Sequence, residues 1–360
     1  MNELLLSMLR SAVEQGASDI FIVCGMPVSY KINGAILPQN EERILPERSQ
    51  EIIFGLYEAA DHRSPDHLLD CGDDDFSFSI PGLSRFRVCT FKQRGSLSAV
   101  IRVVTFTLPD SRTLGIPDAV MSIAERSKGF VLVTGPAGSG KTTTLACIIE
   151  AINQNRNAHI ITLEDPIEYL HRHKKSVVSQ REISSDTVSY DAALRAALRQ
   201  APDVILLGEM RDYETIRTAM TAAETGHLVI STLHTVGAAN TIDRIIDAFP
   251  SSQQQQIRTQ LAMVLQAVVS QQLIPTTDGK IVPAFEVMFL NSAIRNMIRE
   301  SKIHQIDTVL YSSAGEGMCT MDGSLLELYK KGTISAHHAL QYATNPDTML
   351  KKLTAAGAKF

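Results

Sequence analysis

Long apolar runs are missing from this chain, and none approaches the about eighteen residues that a membrane-spanning helix needs. That argues against direct membrane insertion, so association with a bilayer is expected to come through partners. Cysteine is sparse. Cys24, Cys71, Cys89, Cys147 and Cys319 include no C-x-x-C pair, which excludes a zinc framework or disulfide scaffold and fits a reducing cytoplasm. The opening MNELLLSMLRSAVEQGASD lacks a basic leader and a cleavage site, so it is expected to form an amphipathic helix. Excess positive charge is also absent. A formal net charge of −5 argues against a surface that binds nucleic acid or acidic lipid throughout, and leaves room for a local basic pore. What remains is ordinary globular composition, 44% hydrophobic and 20% charged. Its length suits about two domains.

The two parts differ in texture. Residues 1–106 read as a helix followed by the strands DIFIVC, VSYKING, FSFSI, FRVCTF and SAVIRVV. Turn signals at Asn33-Gly34 and Pro81-Gly82 separate them, which predicts a small α+β domain. Residues 107–117, with two prolines among polar residues, read as a linker. Residues 118–360 begin with strands and helices in alternation, which predicts a largely parallel, doubly wound sheet binding ligand at the strands' carboxyl ends. From Asn240 onward the pattern reads as mostly helical.

The sharpest signal is GPAGSGKTTT at 135–144, which matches G-x-x-x-x-G-K-[ST] at every fixed position. An apolar strand, Phe130–Thr134, precedes it and a helical pattern follows. Gly135, Gly138 and Gly140 let the backbone curl so that N–H groups face phosphate oxygens. Pro136, Ala137, Ser139 and Thr143 complete the cradle, and the new helix adds its positive end. Lys141 is expected to reach the β- and γ-phosphates and the Thr142 hydroxyl to ligate Mg²⁺. The chain is therefore expected to bind a nucleoside triphosphate.

Three further segments end apolar strands with reactive groups. In IITLEDPIE, Glu164 is placed either to deprotonate an attacking water or to cap the turn before Pro166. In DVILLGEMRD, a Walker B-like strand ends in Gly208-Glu209 where an Asp-Glu pair is usual, so Glu209 is expected to serve the metal while Glu164 serves the water. In TGHLVISTLHT, His227 reads equally well as a packed or a catalytic residue, and His234 is the better candidate to sense the γ-phosphate. Their spacing, without a nearby cysteine, fits no zinc site. Arg85, Arg87, Arg94 and Arg102 lie on strands of the first domain, where arginine is usually solvated surface yet suits transition-state charge.

Taken together, IITLEDPIEY, DVILLGEMRD and TGHLVISTLHT resemble the Asp box, Walker B and His box of the secretion ATPase superfamily that drives type II secretion, type IV pili and type IV secretion. SAIRNMIRE at 292–300 is very similar to a signature of the branch that retracts pili, and AANTIDRIIDAFP, LQAVVSQQL and GMCTMDGSL fit the same family. The resemblance implies an N-terminal PAS-like domain joined to a RecA-like ATPase domain in a hexameric ring. It implies ATP and Mg²⁺ as ligands, Glu164 as general base, Glu209 as a Mg²⁺-associated acid, His227 and His234 lining the site, and Arg87 and Arg102 reaching toward nucleotide. It also implies a cytoplasmic motor recruited by an inner-membrane pilus platform protein, with a paralogous pilus ATPase as a further partner and no nucleic acid. Two departures stand out. Phe21 replaces a common histidine, and Ala137, on the loop exterior, replaces a frequent threonine.

Pilus retraction is the leading reading, favoured by the AIRNMIRE helix and by the lack of a four-cysteine zinc element. A paralogue serving a pseudopilus, secretion or DNA-uptake machine shares the same chemistry. A RecA-like nucleic-acid translocase is opposed by the net acidity and by the lack of an aromatic-basic face. A nucleotide-gated scaffold with little turnover is the non-enzymatic alternative. Ala293, Ile294 and Met297 at helical spacing are expected to pack in a core, leaving Arg295, Asn296 and Arg299 as a candidate contact surface.

Overall fold

Strand alternation in the first hundred residues and near-continuous apolar strands later on produce two different sheets. The computed structural model describes residues 3–32, 34–104, 106, 108–210 and 212–358. Asn33 of the expected turn, Thr107 at the expected start of the linker, and Arg211 after the Walker B-like strand lie outside the described residues. The chain divides into two compact units, Met1–Thr107 with Ile167–Leu170, and Leu108–Pro166 with His171–Phe360.

Among the described residues, the first unit carries β1 (Asp19–Ile22), β2 (Ser29–Ile32), β3 (Ala35–Pro38), β4 (Asp73–Ile80), β5 (Ser84–Gln93) and β6 (Ser96–Val104). They form an antiparallel sheet in the order β3-β2-β1-β6-β5-β4. Alternation puts Phe76, Phe78, Phe86, Val88 and Ile101 on the buried face. The helix Glu3–Glu14 buries Leu5, Leu9 and Ala12, and the helix Pro46–Ala59 buries Ile52, Ile53, Leu56 and Tyr57. That second helix has its signals in the sequence, a proline at its start and apolar residues three and four apart. β3 has none: its four residues are all exposed, so it shows no alternation.

The second unit carries β7 (Gly129–Thr134), β8 (His159–Glu164), β9 (Val177–Glu182), β10 (Val204–Leu207), β11 (Leu228–Leu233), β12 (Leu265–Pro275) and β13 (Ile281–Phe289), in the order β13-β12-β7-β11-β10-β8-β9. Every neighbouring pair is parallel except β12–β13. Helices cover both faces, so the central strands have no solvated side and read as unbroken apolar runs. One face packs Val131, Val133, Leu206 and Ile230 against Leu145, Ile148, Ile149 and Ile152 of the helix Lys141–Asn155. The other packs Leu132, Leu163, Leu207 and Val229 against the helices Tyr190–Ala197, Tyr213–Glu224, Ala238–Asp247 and Gln254–Val264.

Beyond Asn240 the chain is mostly helical, as expected, with one interruption: residues 265–289 form the long β12–β13 hairpin. The helix Gln254–Val264 passes straight into β12 without a glycine or proline stop, and β12 is buried through most of its length. Burial of this kind removes the period that separates strand from helix. Helices resume beyond Ser292. Ile230, fully buried in β11 between β7 and β10, anchors the face that holds the helix Lys141–Asn155. Ile230→Ala is expected to cost about 2–5 kcal/mol, a cavity in a close-packed layer, as read by chemical denaturation followed by circular dichroism. A loss below about 1 kcal/mol would show that the layer collapses around the gap.

Candidate nucleotide site

Parallel strands end at one edge, and that edge gathers most of the reactive groups. β7 ends at Thr134 and the chain turns through Gly135, Gly138 and Gly140, with φ of 139°, 76° and 84°. At Gly135 a Cβ would lie 2.2 Å from the carbonyl oxygen of Gln271 on β12 and 2.7 Å from Ser139 Oγ. At Gly140 it would lie 2.9 Å from Gln271 Nε2. The loop therefore closes only where side chains are absent. Ser139 Oγ is buried without a hydrogen-bond partner, an oriented hydroxyl suited to an anion's oxygen. The helix Lys141–Asn155 starts without a side-chain cap, so its first N–H groups keep their capacity for phosphate, whereas Ser189, Asp212 and Asn291 cap the helices that follow them.

Lys141 is buried, and its Nζ donates to the carbonyls of Gly135 and Pro136, both at 2.9 Å. Burial lowers the ammonium pKa from its ordinary value, and the charge of Glu209 opposes that shift. Thr142 and Ala137 are exposed, and Thr143 is half-buried. Thr144 turns inward and donates to Gln271 Oε1 at 2.7 Å. Beside the loop, a pocket of about 410 Å³ is lined by Gly140, Thr143, Leu114, Ile116, Leu273 and Pro283 among others. An apolar hollow next to a phosphate cradle has the character of a base-binding site.

Glu164 closes β8 and is buried, accepting from Thr162 Oγ1 at 2.6 Å and from Gln180 Nε2 at 3.3 Å. Glu209 follows β10 with its side chain 12% exposed, and His234 follows β11 with its side chain 60% exposed. His234 Nε2 stands 3.4 Å from Glu209 Oε2. Thr232 Oγ1 donates to the Gly208 carbonyl at 2.6 Å, which ties the ends of β10 and β11 together. Gly208, where a second carboxylate is usual, is tightly packed: a Cβ there would meet the Tyr190 hydroxyl at 2.8 Å and the Leu163 carbonyl at 3.3 Å, so a side chain would require Tyr190 to shift. Among the described residues no cluster of three His, Cys, Asp or Glu is arranged to hold a metal. A Mg²⁺ ion here would rely on Thr142, Glu209, phosphate oxygens and water, the ligand set Mg²⁺ prefers in phosphoryl-transfer sites.

His227 is not brought to this edge. It precedes β11, at the end paired with Gly129 rather than Thr134, and its Nδ1 lies 2.9 Å from the Ala222 carbonyl at the close of the helix Tyr213–Glu224. A six-residue strand separates it by roughly 20 Å from the loop edge. The expectation that it lines the site is corrected for this chain: it packs a helix end. Arg87 and Arg102 belong to the first unit, directly opposite one another on β5 and β6. Arg102 Nε is 3.2 Å from Asp19 Oδ1. In the helix Ser292–Arg299, Ile294 and Ile298 are buried and Ala293 is exposed, so the core stripe differs from the expected one. Arg295 turns inward to the carbonyls of Ala262 and Met263, while Asn296 and Arg299 stay exposed. Gln180, Tyr190 and Gln271 were missed by sequence reasoning. Their only signal is polarity within or beside apolar strands, which does not by itself mark a site.

A strand, glycine loop and uncapped helix at the carboxyl edge of a parallel sheet, with acids ending two further strands, define a nucleotide-binding ATPase core of the phosphate-loop class. The chain belongs to the type II/IV secretion system protein family, whose model matches residues 1–323. It is 41% identical over 340 residues to a Pseudomonas aeruginosa protein called "Type IV pilus retractation ATPase PilT", covering 94% of this chain and 98% of that one. It is 44% identical over 348 residues to a "Twitching motility protein" of Neisseria gonorrhoeae, covering 96% and 92%. A crystal structure of the pilus retraction motor PilT with bound ADP superposes with a TM-score of 0.87 at 45% identity, covering 98% of this chain and all of that one. The resemblance read from the boxes thus holds over nearly the whole chain.

Gly135→Ala and Gly138→Ala separate two kinds of cost. The first drives a methyl into a backbone carbonyl and is expected to weaken fluorescent-nucleotide binding at least about tenfold, the price of overpacking. The second meets open space and bears only the left-handed φ, about 1–2 kcal/mol. Equal losses in a titration of the two variants would count against the Gln271 contact as the constraint.

Proposed function

We propose that this chain is the ATP-hydrolysing motor that powers type IV pilus retraction, the disassembly that underlies twitching motility. The observation that carries the reading is end-to-end similarity to relatives named for retraction and twitching, on a chain whose phosphate loop and strand-end acids share one edge. In this reading the loop N–H groups and Lys141 bind the β- and γ-phosphates of ATP. Glu164 takes the proton of the attacking water, and buried donors beside its carboxylate support that role. Thr142 and Glu209 would hold Mg²⁺, whose chemistry when bound is neutralisation of the charge on the phosphates. His234 couples the γ-phosphate to the loop after β11 through its proximity to Glu209. Arg87 and Arg102 compensate charge at the nucleotide of a neighbouring subunit.

The working assembly in this reading is a homohexamer on the cytoplasmic face of the inner membrane, recruited by the pilus platform protein and assisted by a paralogous pilus ATPase. No described helix is long and apolar enough to cross a membrane, which supports recruitment through partners. Lys141→Ala is expected to abolish phosphate release. Glu164→Gln should keep ATP binding and lower turnover by about 10²–10⁴-fold, the usual contribution of a general base. In cells lacking the chain, surface pili should accumulate and fail to retract, with rescue by wild type and not by Lys141→Ala. Unchanged pilus numbers would assign the motor to another machine, and loss of pili would reverse its direction.

A further inference from the structure

The Glu164 carboxylate is held by an amide whose orientation the backbone dictates. Gln180 on β9 stands in register with Thr162 on β8, as Glu182 does with Glu164, so alternation puts all four side chains on one sheet face. The main-chain N–H of His171 donates to Gln180 Oε1 at 2.7 Å. A peptide N–H can only donate, so the amide oxygen must face His171 and the NH₂ group must point away from it. There Nε2 donates to Glu164 Oε1 at 3.3 Å, the oxygen that also accepts from Thr162. Two donors, one with its direction set by the backbone, thus converge on one carboxylate oxygen.

The far end of this chain of bonds is fastened to the helix that begins at the phosphate loop. His171 is buried, with Nδ1 3.4 Å from Glu150 Oε2, and Glu150 also pairs with Lys174. Asn153 donates to the Arg172 carbonyl at 2.8 Å and accepts from the Lys174 N–H at 3.1 Å. Glu150 and Asn153 both lie on the helix Lys141–Asn155. The segment that orients Gln180 is therefore registered to the same rigid element that presents Lys141.

We infer that Gln180 is a positioning residue for hydrolysis, an amide clamp that keeps the Glu164 carboxylate ionised and aimed while the phosphate-loop helix sets where the clamp stands. The inference rests on the reading of Glu164 as the base. Its physical content is directional. Donation to a carboxylate favours the charged form, and a base must be charged to accept the proton. Other titratable groups beside Glu164 are Glu182, across from it on β9, and Tyr190, whose hydroxyl stands at Gly208 next to the Glu164 backbone; Lys141 has Glu209 as its nearby charge instead. His171 directs its ring to Glu150 instead.

The test is steady-state ATP turnover by the full chain across the acid range, with wild type, Gln180→Leu, Gln180→Glu and Glu164→Gln. Gln180→Leu deletes the donor, so the acid limb of kcat should move up by about one pH unit, with kcat down about tenfold and KM for ATP within about twofold. Gln180→Glu keeps the acceptor for the His171 N–H and is nearly isosteric, so it carries the test even if the leucine variant misfolds. It sets a like charge against Glu164 and should move the limb further in the same direction. An unmoved limb in Gln180→Glu, or a loss expressed only in KM, would overturn the clamp. Full turnover by Glu164→Gln would instead remove the base itself, a failure of the underlying reading that the Gln180 variants do not mimic.

Discussion

The carbonyl of Gln271 stands 2.2 Å from where a Cβ on residue 135 would be, and the nucleotide edge is built around that approach. It requires glycine at 135, it brings the Gln271 side chain against Gly140 and Thr144, and it fixes the loop's path into the helix Lys141–Asn155. The approach exists because β12 pairs in parallel with β7. A hairpin more than a hundred residues downstream of the loop is thereby part of the phosphate site. The same strand follows the helix Gln254–Val264, whose final carbonyls accept from Arg295 of the AIRNMIRE helix. The first arginine of that signature, Arg295, thus acts first as a cap on the route into β12, leaving Asn296 and Arg299 on the surface.

Parallel pairing also decides which polar groups can cooperate. β8, β10 and β11 end at the same edge as β7, so Glu164, Glu209 and His234 collect there, and His227, at the other end of β11, cannot join them. The two carboxylates are then differentiated by surroundings. Glu164 is enclosed by donors from Thr162 and Gln180, whereas Glu209 shares its space with His234 and with the charge of Lys141. Gly208, where a Walker B strand usually has its other acid, is closely packed: a Cβ there would press on the Tyr190 hydroxyl and approach the Leu163 carbonyl. With one acid at the end of β10, the second carboxylate of the site comes from β8.

The local sequence was sufficient wherever a pattern and its mechanism share a few consecutive residues. The phosphate loop needs glycines, a lysine and a following helix within ten positions, and that covalent proximity made the site readable, as it did the alternating strands and helices of the ATPase core and the strand-end placement of Glu164 and Glu209. Only tertiary structure decided the rest. The β12–β13 hairpin carries no strand signal because burial along most of β12 erases the two-residue period, and β3 is silent because exposure on both faces does the same. His227 and His234 look alike in the sequence, seven residues apart on one strand segment, and the direction of that strand alone sends one to the nucleotide edge and the other to a helix end. Gln180 and Gln271 carry no signal beyond their polarity, since an amide becomes part of a site only when another group fixes which way it points, the His171 N–H for the one and the Thr144 hydroxyl for the other.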